Sequence, residues 1–284
     1  MISVLQLGTL DYVTGLRLQE KLVALRKDGR IGDVLLLLEH TPVITMGRNA
    51  KANNIVASPE LVAQRGIEVF ECDRGGDVTF HGPGQLVAYP IFDLRVFPSA
   101  NEGRKTLGAV EFVRRLEEVL IRTCAECGIA AKRVTGLTGV WAGEDSHVST
   151  THVGTGALAR PAESKTQQPC GTEAKIAALG IHISRGVTSH GIALNVNTDL
   201  SFFNLIVPCG ITSKPVTSMQ NELGRALPMQ EVAHAVSRNF GLVFQSQILW
   251  LDNLDALLNP NVGVPMKVPE NLRKVRGEED SAWA

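Results

Sequence analysis

Residues 74–85, RGGDVTFHGPGQ, carry four glycines and a proline within twelve positions. Glycine loses more conformational freedom on folding than any other residue and adds no apolar surface. Such a segment therefore serves either turns that other residues cannot make or a close approach to the backbone. Apolar runs flank it on both sides, IEVFEC at 67–72 and LVAYPIFDL at 86–94, so a strand–loop–strand unit is expected. A structural hairpin turn would need only the glycines and the proline. Arg74, Thr79, His81 and Gln85 add four hydrogen-bonding side chains, which favours a binding or catalytic loop. The spacing matches neither G-x-x-x-x-G-K-[ST] nor G-x-G-x-x-G, so the common phosphate-loop readings fail.

The rest of the chain supplies a scaffold. Asp11 can cap a helix running to about Lys27, with Leu18, Leu22 and Leu25 at helical spacing. Val34 to Leu38 is a continuous apolar run that reads as a buried strand, with Val43 to Met46 as its neighbour. A long amphipathic helix is predicted over Gly108 to Cys127, with Val110, Val113, Leu116, Leu120, Cys124 and Cys127 on one face and Gly128 as its stop. Short strands follow at Ile129 to Val134, Thr138 to Trp141, Lys175 to Ile183 and His190 to Val196, then a helix from about Met229 to Phe240. Some of these strands lie too close together for helical crossovers, which predicts an α+β fold with a mixed β-sheet flanked by helices. One domain is expected over 1–258, with a tail at 259–284. Residues 142–174 lack periodicity and are rich in Ser, Thr, Gly, Pro and Gln, the composition of a flexible insertion.

Composition narrows the function classes. A net charge of −1 argues against a nucleic-acid surface, and no run approaches the length of a membrane span. The N-terminus has neither a signal-peptide pattern nor an Arg-rich transit pattern, so a cytoplasmic enzyme is expected. Five cysteines argue against a disulfide framework. Cys124 and Cys127 form a CxxC, but on an apolar helix face they read as core thiols. Two cysteines share the tripeptide Pro-Cys-Gly: Cys170 in the polar insertion and Cys209 in NLIVPCGI, behind the strand-like run Leu205 to Val207. A thiol fixed in this way is a candidate nucleophile, and a nucleophile wants a base. Lys175 shares a strand face with Ala177, Leu179, Ile181 and Ile183, at the rim of what would be the core. A lysine that snorkels to solvent from a strand end is the commoner arrangement.

RGGDVTFHGPGQLVAYP at 74–90 resembles the signature of the lipoyl(octanoyl) transferases, RGG-x-x-T-[Y/F]-H-x-x-G-Q, at every fixed position. KIAALGIHI, SHGIALNVNTDL and VPCG follow in the family's order and spacing, and the resemblance runs from about Val4 to Leu242. It implies the fold of lipoate and biotin protein ligases. It also implies a ping-pong reaction in which Cys209 takes an octanoyl group from octanoyl-acyl carrier protein as a thioester. A lysine of a lipoyl domain, in 2-oxoacid dehydrogenase complexes or the glycine cleavage H protein, then receives it, with Lys175 as the base. The acyl site would be built from Arg74, Gly75, Gly76, Asp77, Val78, Thr79, Phe80 and His81, with Ala178, Leu179, Gly180, Gly191, Ile192 and Ala193. No metal, cofactor, nucleic acid or membrane is implied. Arg48, Arg74 and Arg185 are candidate contacts for acidic partners. The rival readings are an ATP-dependent lipoate ligase, which needs no cysteine, and a non-catalytic binding module, against which the pairing of Lys175 with Cys209 speaks.

The 142–174 segment departs from the family, whose members join these strands by a short turn. Replacing residues 143–172 with a short turn should leave transfer largely intact. A loss beyond tenfold in a steady-state assay, with the circular dichroism spectrum unchanged, would show that the segment contributes to the site.

Overall fold

The run Val34 to Leu38 has no polar face because it is covered from both sides. Val34, Leu36 and Leu38 pack in one core and Leu35 and Leu37 in another, as the two-residue period of a strand requires. The computed structural model describes residues 1–143, 173–210 and 214–258. The strands are β1 (Ile2–Leu10), β2 (Asp33–His40), β3 (Val43–Met46), β4 (Glu68–Glu71), β5 (Val78–His81), β6 (Gln85–Ile91), β7 (Ala131–Lys132), β8 (Val140–Ala142), β9 (Ala174–Ser184), β10 (Val187–Asn195) and β11 (Ile248–Trp250). The α-helices are α1 (Tyr12–Lys27), α2 (Pro59–Gln64), α3 (Ala109–Glu126), α4 (Met219–Leu223) and α5 (Met229–Phe244).

Eight strands form one sheet in the order β11-β1-β2-β6-β10-β9-β8-β7, and β4-β3-β5 form a second, smaller sheet. The β11-β1-β2 edge is parallel and every pairing from β2 to β7 is antiparallel. The expected mixed, helix-flanked α+β fold is what forms. Helices α3 and α5 cover one face of the large sheet through Leu116, Leu120, Val236 and Phe240. Helix α1 covers the other through Leu18 and Leu22, and Asp11 caps it by accepting from the Thr14 amide at 2.8 Å.

Pro90 sits opposite Leu35 within the β2–β6 pairing. Two expectations need correction. The buried stripe of α3 runs through Phe112, Leu116, Val119, Leu120, Thr123 and Cys124, whereas Val110 is 76% exposed. The larger Phe112 ring claims the core, and the stripe turns towards it. Finally, the glycine-rich segment is only partly loop, since Val78 to His81 pair with β3. Strands β1 and β11 carried no distinctive sequence signal and were not expected.

Phe92, fully buried just beyond β6, meets Phe97, Phe112, Phe240 and Phe244 at centroid distances of 5.4–6.3 Å. It links the sheet to both α3 and α5. Phe92→Ala should therefore cost about 3–5 kcal/mol in urea unfolding, and a cost below about 1 kcal/mol would mean that the cluster closes over the gap.

Candidate active site

The glycine-rich segment lies across β9, backbone against backbone. The Gly75 amide donates to the Ile181 carbonyl at 2.9 Å. A Cβ added to Gly180 would stand 2.7 Å from the Gly75 carbonyl oxygen, nearer than such a contact can be made. The approach therefore demands a residue without a side chain at 180. Arg74 fixes the other side of the junction. Its guanidinium is buried and donates to the Thr45 hydroxyl at 2.9 and 3.1 Å, to the Thr45 carbonyl at 2.6 Å and to the Gly75 carbonyl at 3.1 Å. Arg74 thus binds the small sheet to the glycine segment and is not a surface contact for a partner. Arg48 and Arg185 are exposed.

Between the two sheets this junction leaves a narrow cleft. Of the residues expected there, Arg74, Gly76, Thr79, His81, Ala178, Leu179, Gly180, Gly191, Ile192 and Ala193 line it. The others do not. Gly75 contributes the backbone link to β9. Val78 and Phe80 alternate away from the cleft into the core of the small sheet. Asp77 accepts from the Lys51 and Val78 amides and from the Asn54 side chain, bracing a neighbouring loop. Tyr12, Val87, Tyr89 and His190 also line the cleft and were missed. Tyr12 arrives from α1, far away in sequence, whereas His190 stands directly before the GIA tripeptide and shared its signal.

A buried polar chain leads from the cleft to the first residues of β9. Gln85 donates its amide hydrogens to the Phe80 carbonyl and to Asn195 Oδ1. Its oxygen must therefore accept from His81 Nδ1, at 2.7 Å. This fixes His81 with Nδ1 protonated and Nε2 bare. Burial, with His40 and the Arg74 charge adding to it, pushes the His81 pKa down to about 3, so the ring is neutral at physiological pH. Asn195 in turn donates to the Thr217 carbonyl, and the Thr217 amide donates to the Lys175 carbonyl.

Lys175 is 7% exposed, and its ammonium lies over the Trp141 ring at 5.4 Å, a cation–π contact. The core-rim position read from the sequence is the one it occupies. Together with Thr79, Gln85, Ala178, Ala193, Asn195 and Pro208, it borders a second, small cavity. Thr79, Ala178 and Ala193 belong to both cavities, so the small one adjoins the cleft. Cys209 lies in the 3-10 turn Pro208–Gly210, beside that cavity through Pro208. The run before it is not a strand. Leu200 to Leu205 form a 3-10 helix, Ile206 makes a single bridge to Ile55, and the Val207 amide donates to the Asn54 carbonyl at 2.7 Å. The turn is held all the same, from the loop that Asp77 braces. Cys170 and most of the 142–174 segment, like the tail beyond residue 258, lie outside the described residues. Cys124 is a buried thiol whose pKa burial pushes up to about 12, which leaves it inert.

Residues 11–241 match the family model described as the lipoyl protein ligase A/B catalytic domain. The chain belongs to this family. It is 56% identical over 279 residues to an octanoyltransferase of Koribacter versatilis, covering 98% of each chain. It is 51% identical over 260 residues to an octanoyltransferase of Acidobacterium capsulatum, covering 91% of this chain and 96% of that one. Among solved structures, a bi-partite lipoate protein ligase of Thermoplasma acidophilum shares the fold at a TM-score of 0.61, with 17% identity over 89% of this chain and 87% of that one. A lipoate-protein ligase A bound with ATP does so at 0.59, with 18% identity over 89% of each. No described helix is long and apolar enough to cross a membrane.

Gly139 explains how a lysine side chain finds room beside Trp141. Its amide donates to the fully buried Glu117 carboxylate at 3.3 Å, and its φ is +138°. A Cβ there would lie 2.7 Å from Lys175 Cε. Gly139→Ala should push the lysine out of its seat and lower acyl transfer at least tenfold in a single-turnover assay. A folded variant with an unchanged rate would show that the lysine's exact seat is unimportant.

Proposed function

We propose that this chain is an octanoyltransferase that works through an acyl-thioester on Cys209, with Lys175 as the proton-transfer group. In the first half-reaction the Cys209 thiolate attacks the thioester carbonyl of octanoyl-acyl carrier protein. The carrier's thiol leaves and takes up the proton that Cys209 gave to Lys175. In the second, a lysine amine of a lipoyl domain attacks the octanoyl-enzyme, Lys175 removes its proton, and the Cys209 thiolate is released to form an amide product. One residue serves both steps because each needs a proton held and then returned at the same place.

The observation that carries the reading is the shared small cavity. Lys175 and the turn of Cys209 border one space, and that space adjoins the apolar cleft through Thr79, Ala178 and Ala193. Seven CH₂ and CH₃ groups of an octanoyl chain, at roughly 0.8 kcal/mol each, offer about 5 kcal/mol to such a slot. The His81 to Thr217 chain of hydrogen bonds supports it further, since it ties the wall of the cleft to the strand that bears Lys175. An ATP-dependent ligase on the same fold would need no cysteine, and the two relatives above carry the transferase name.

Intact mass after incubation with octanoyl-acyl carrier protein, without ATP, should show one octanoyl adduct. Cys209→Ala should abolish adduct and turnover, while Cys170→Ala should leave both near wild type. Lys175→Met and Lys175→Arg should both fail to turn over, because a guanidinium cannot give up its proton near neutral pH. An adduct on a Cys170 peptide, or a working Lys175→Arg enzyme, would overturn the assignment.

A further inference from the structure

Among the described residues, His190 alone lines both the cleft between the sheets and a second, larger cleft under α1. It is 2% exposed and stands between them. Its ring is pinned: Nε2 donates to Asp73 Oδ1 at 2.7 Å, and the Tyr89 ring meets it edge-on at 6.5 Å. Its amide donates to Gln19 Oε1 of α1 at 2.7 Å. Its backbone is left-handed, with φ +55°, which for a residue other than glycine costs energy that surrounding contacts must hold in place. Beyond it, the α1 cleft is bordered by Leu16, Val23 and Ala24 as well as by polar groups, so it offers apolar surface to a chain that reached it.

The sheet register gives the distance. Ala193 pairs with Ala178 at the Lys175 end of the cleft, and His190 pairs with Ile181 at the other. Three residues of strand separate the two levels, roughly 10 Å. An extended eight-carbon acyl chain measures roughly 9 Å from carbonyl carbon to methyl by ordinary C–C bond dimensions. The levels of Ala193 and His190 are therefore about one octanoyl length apart.

We propose that His190, anchored by Asp73, is the stop that sets acyl-chain length, closing the octanoyl slot off from the α1 cleft. This rests on the octanoyl-transfer reading above. Removing the ring joins the two spaces and admits chains of twelve carbons or more. Asp73 acts through His190 as a positioning residue, by holding its ring across the opening.

Carrier protein loaded with eight-, ten-, twelve- or fourteen-carbon acyl groups tests this, with the rate of enzyme adduct formation read by intact mass. His190→Gly suits the left-handed backbone and so removes the ring without new strain. It should raise the twelve-carbon to eight-carbon rate ratio by about tenfold or more. Asp73→Ala, at a half-exposed carboxylate, should raise the same ratio by a smaller factor, and it decides the matter if the glycine variant does not fold. An unchanged ratio in the folded variants, with octanoyl adduct still forming, overturns the stop while leaving the transfer reading intact. A wild-type enzyme that forms no adduct at any chain length overturns the transfer reading itself, and the stop with it.

Discussion

The guanidinium of Arg74 is the point on which the two sheets depend. Buried and hydrogen-bonded to the backbone and side chain of Thr45, it fastens the small sheet to a glycine segment that is itself bonded to β9 through Gly75. A buried charge of this kind is tolerable only because its donors meet acceptors. Once it is placed, the distance between the sheets is no longer adjustable, and the cleft has a fixed width. Gly180 then follows as a necessity, since any side chain at that position would meet the Gly75 carbonyl.

The same rigidity reaches the chemistry by a polar route. His81, Gln85, Asn195 and Thr217 form a chain in which each donor and acceptor has one consistent assignment. It begins at the cleft wall and ends at the backbone of Lys175. A network whose members all have partners in a low-dielectric interior strengthens its own bonds and specifies one geometry. Trp141 beneath the Lys175 ammonium and Gly139 beside its side chain complete the seat. The turn that bears Cys209 is held from a different side, through Asn54 and the carboxylate of Asp77. The two catalytic candidates therefore belong to separately braced elements that border one small cavity.

Much of this was legible in the sequence because the relevant signals are local. Val34 to Leu38 announces a doubly covered strand, Asp11 announces a helix cap, and the bare backbone at 74–84 announces a close approach. What was not legible depends on long-range partners. Tyr12 lines the cleft only because α1 packs across β10, and nothing around residue 12 reports that. Arg74 reads as a surface charge until Thr45, 29 residues earlier, is found beneath it. The outward placement of Val110 was hidden for a related reason, as helical spacing defines a face but not which competing residue wins the core. The run before Cys209 looked like a strand because apolar composition alone does not separate a strand from a 3-10 turn packed on a loop.

Strand β5 is four residues long and carries two kinds of duty on its two faces. Val78 and Phe80 belong to the core of the small sheet, while Thr79 and His81 look into the cleft. With a side-chain period of two, a gain or loss of one residue upstream would exchange the faces together. Valine and phenylalanine would then enter the cleft, and threonine and histidine the core. The length of the stretch from Arg74 to His81 is thus constrained as tightly as its composition.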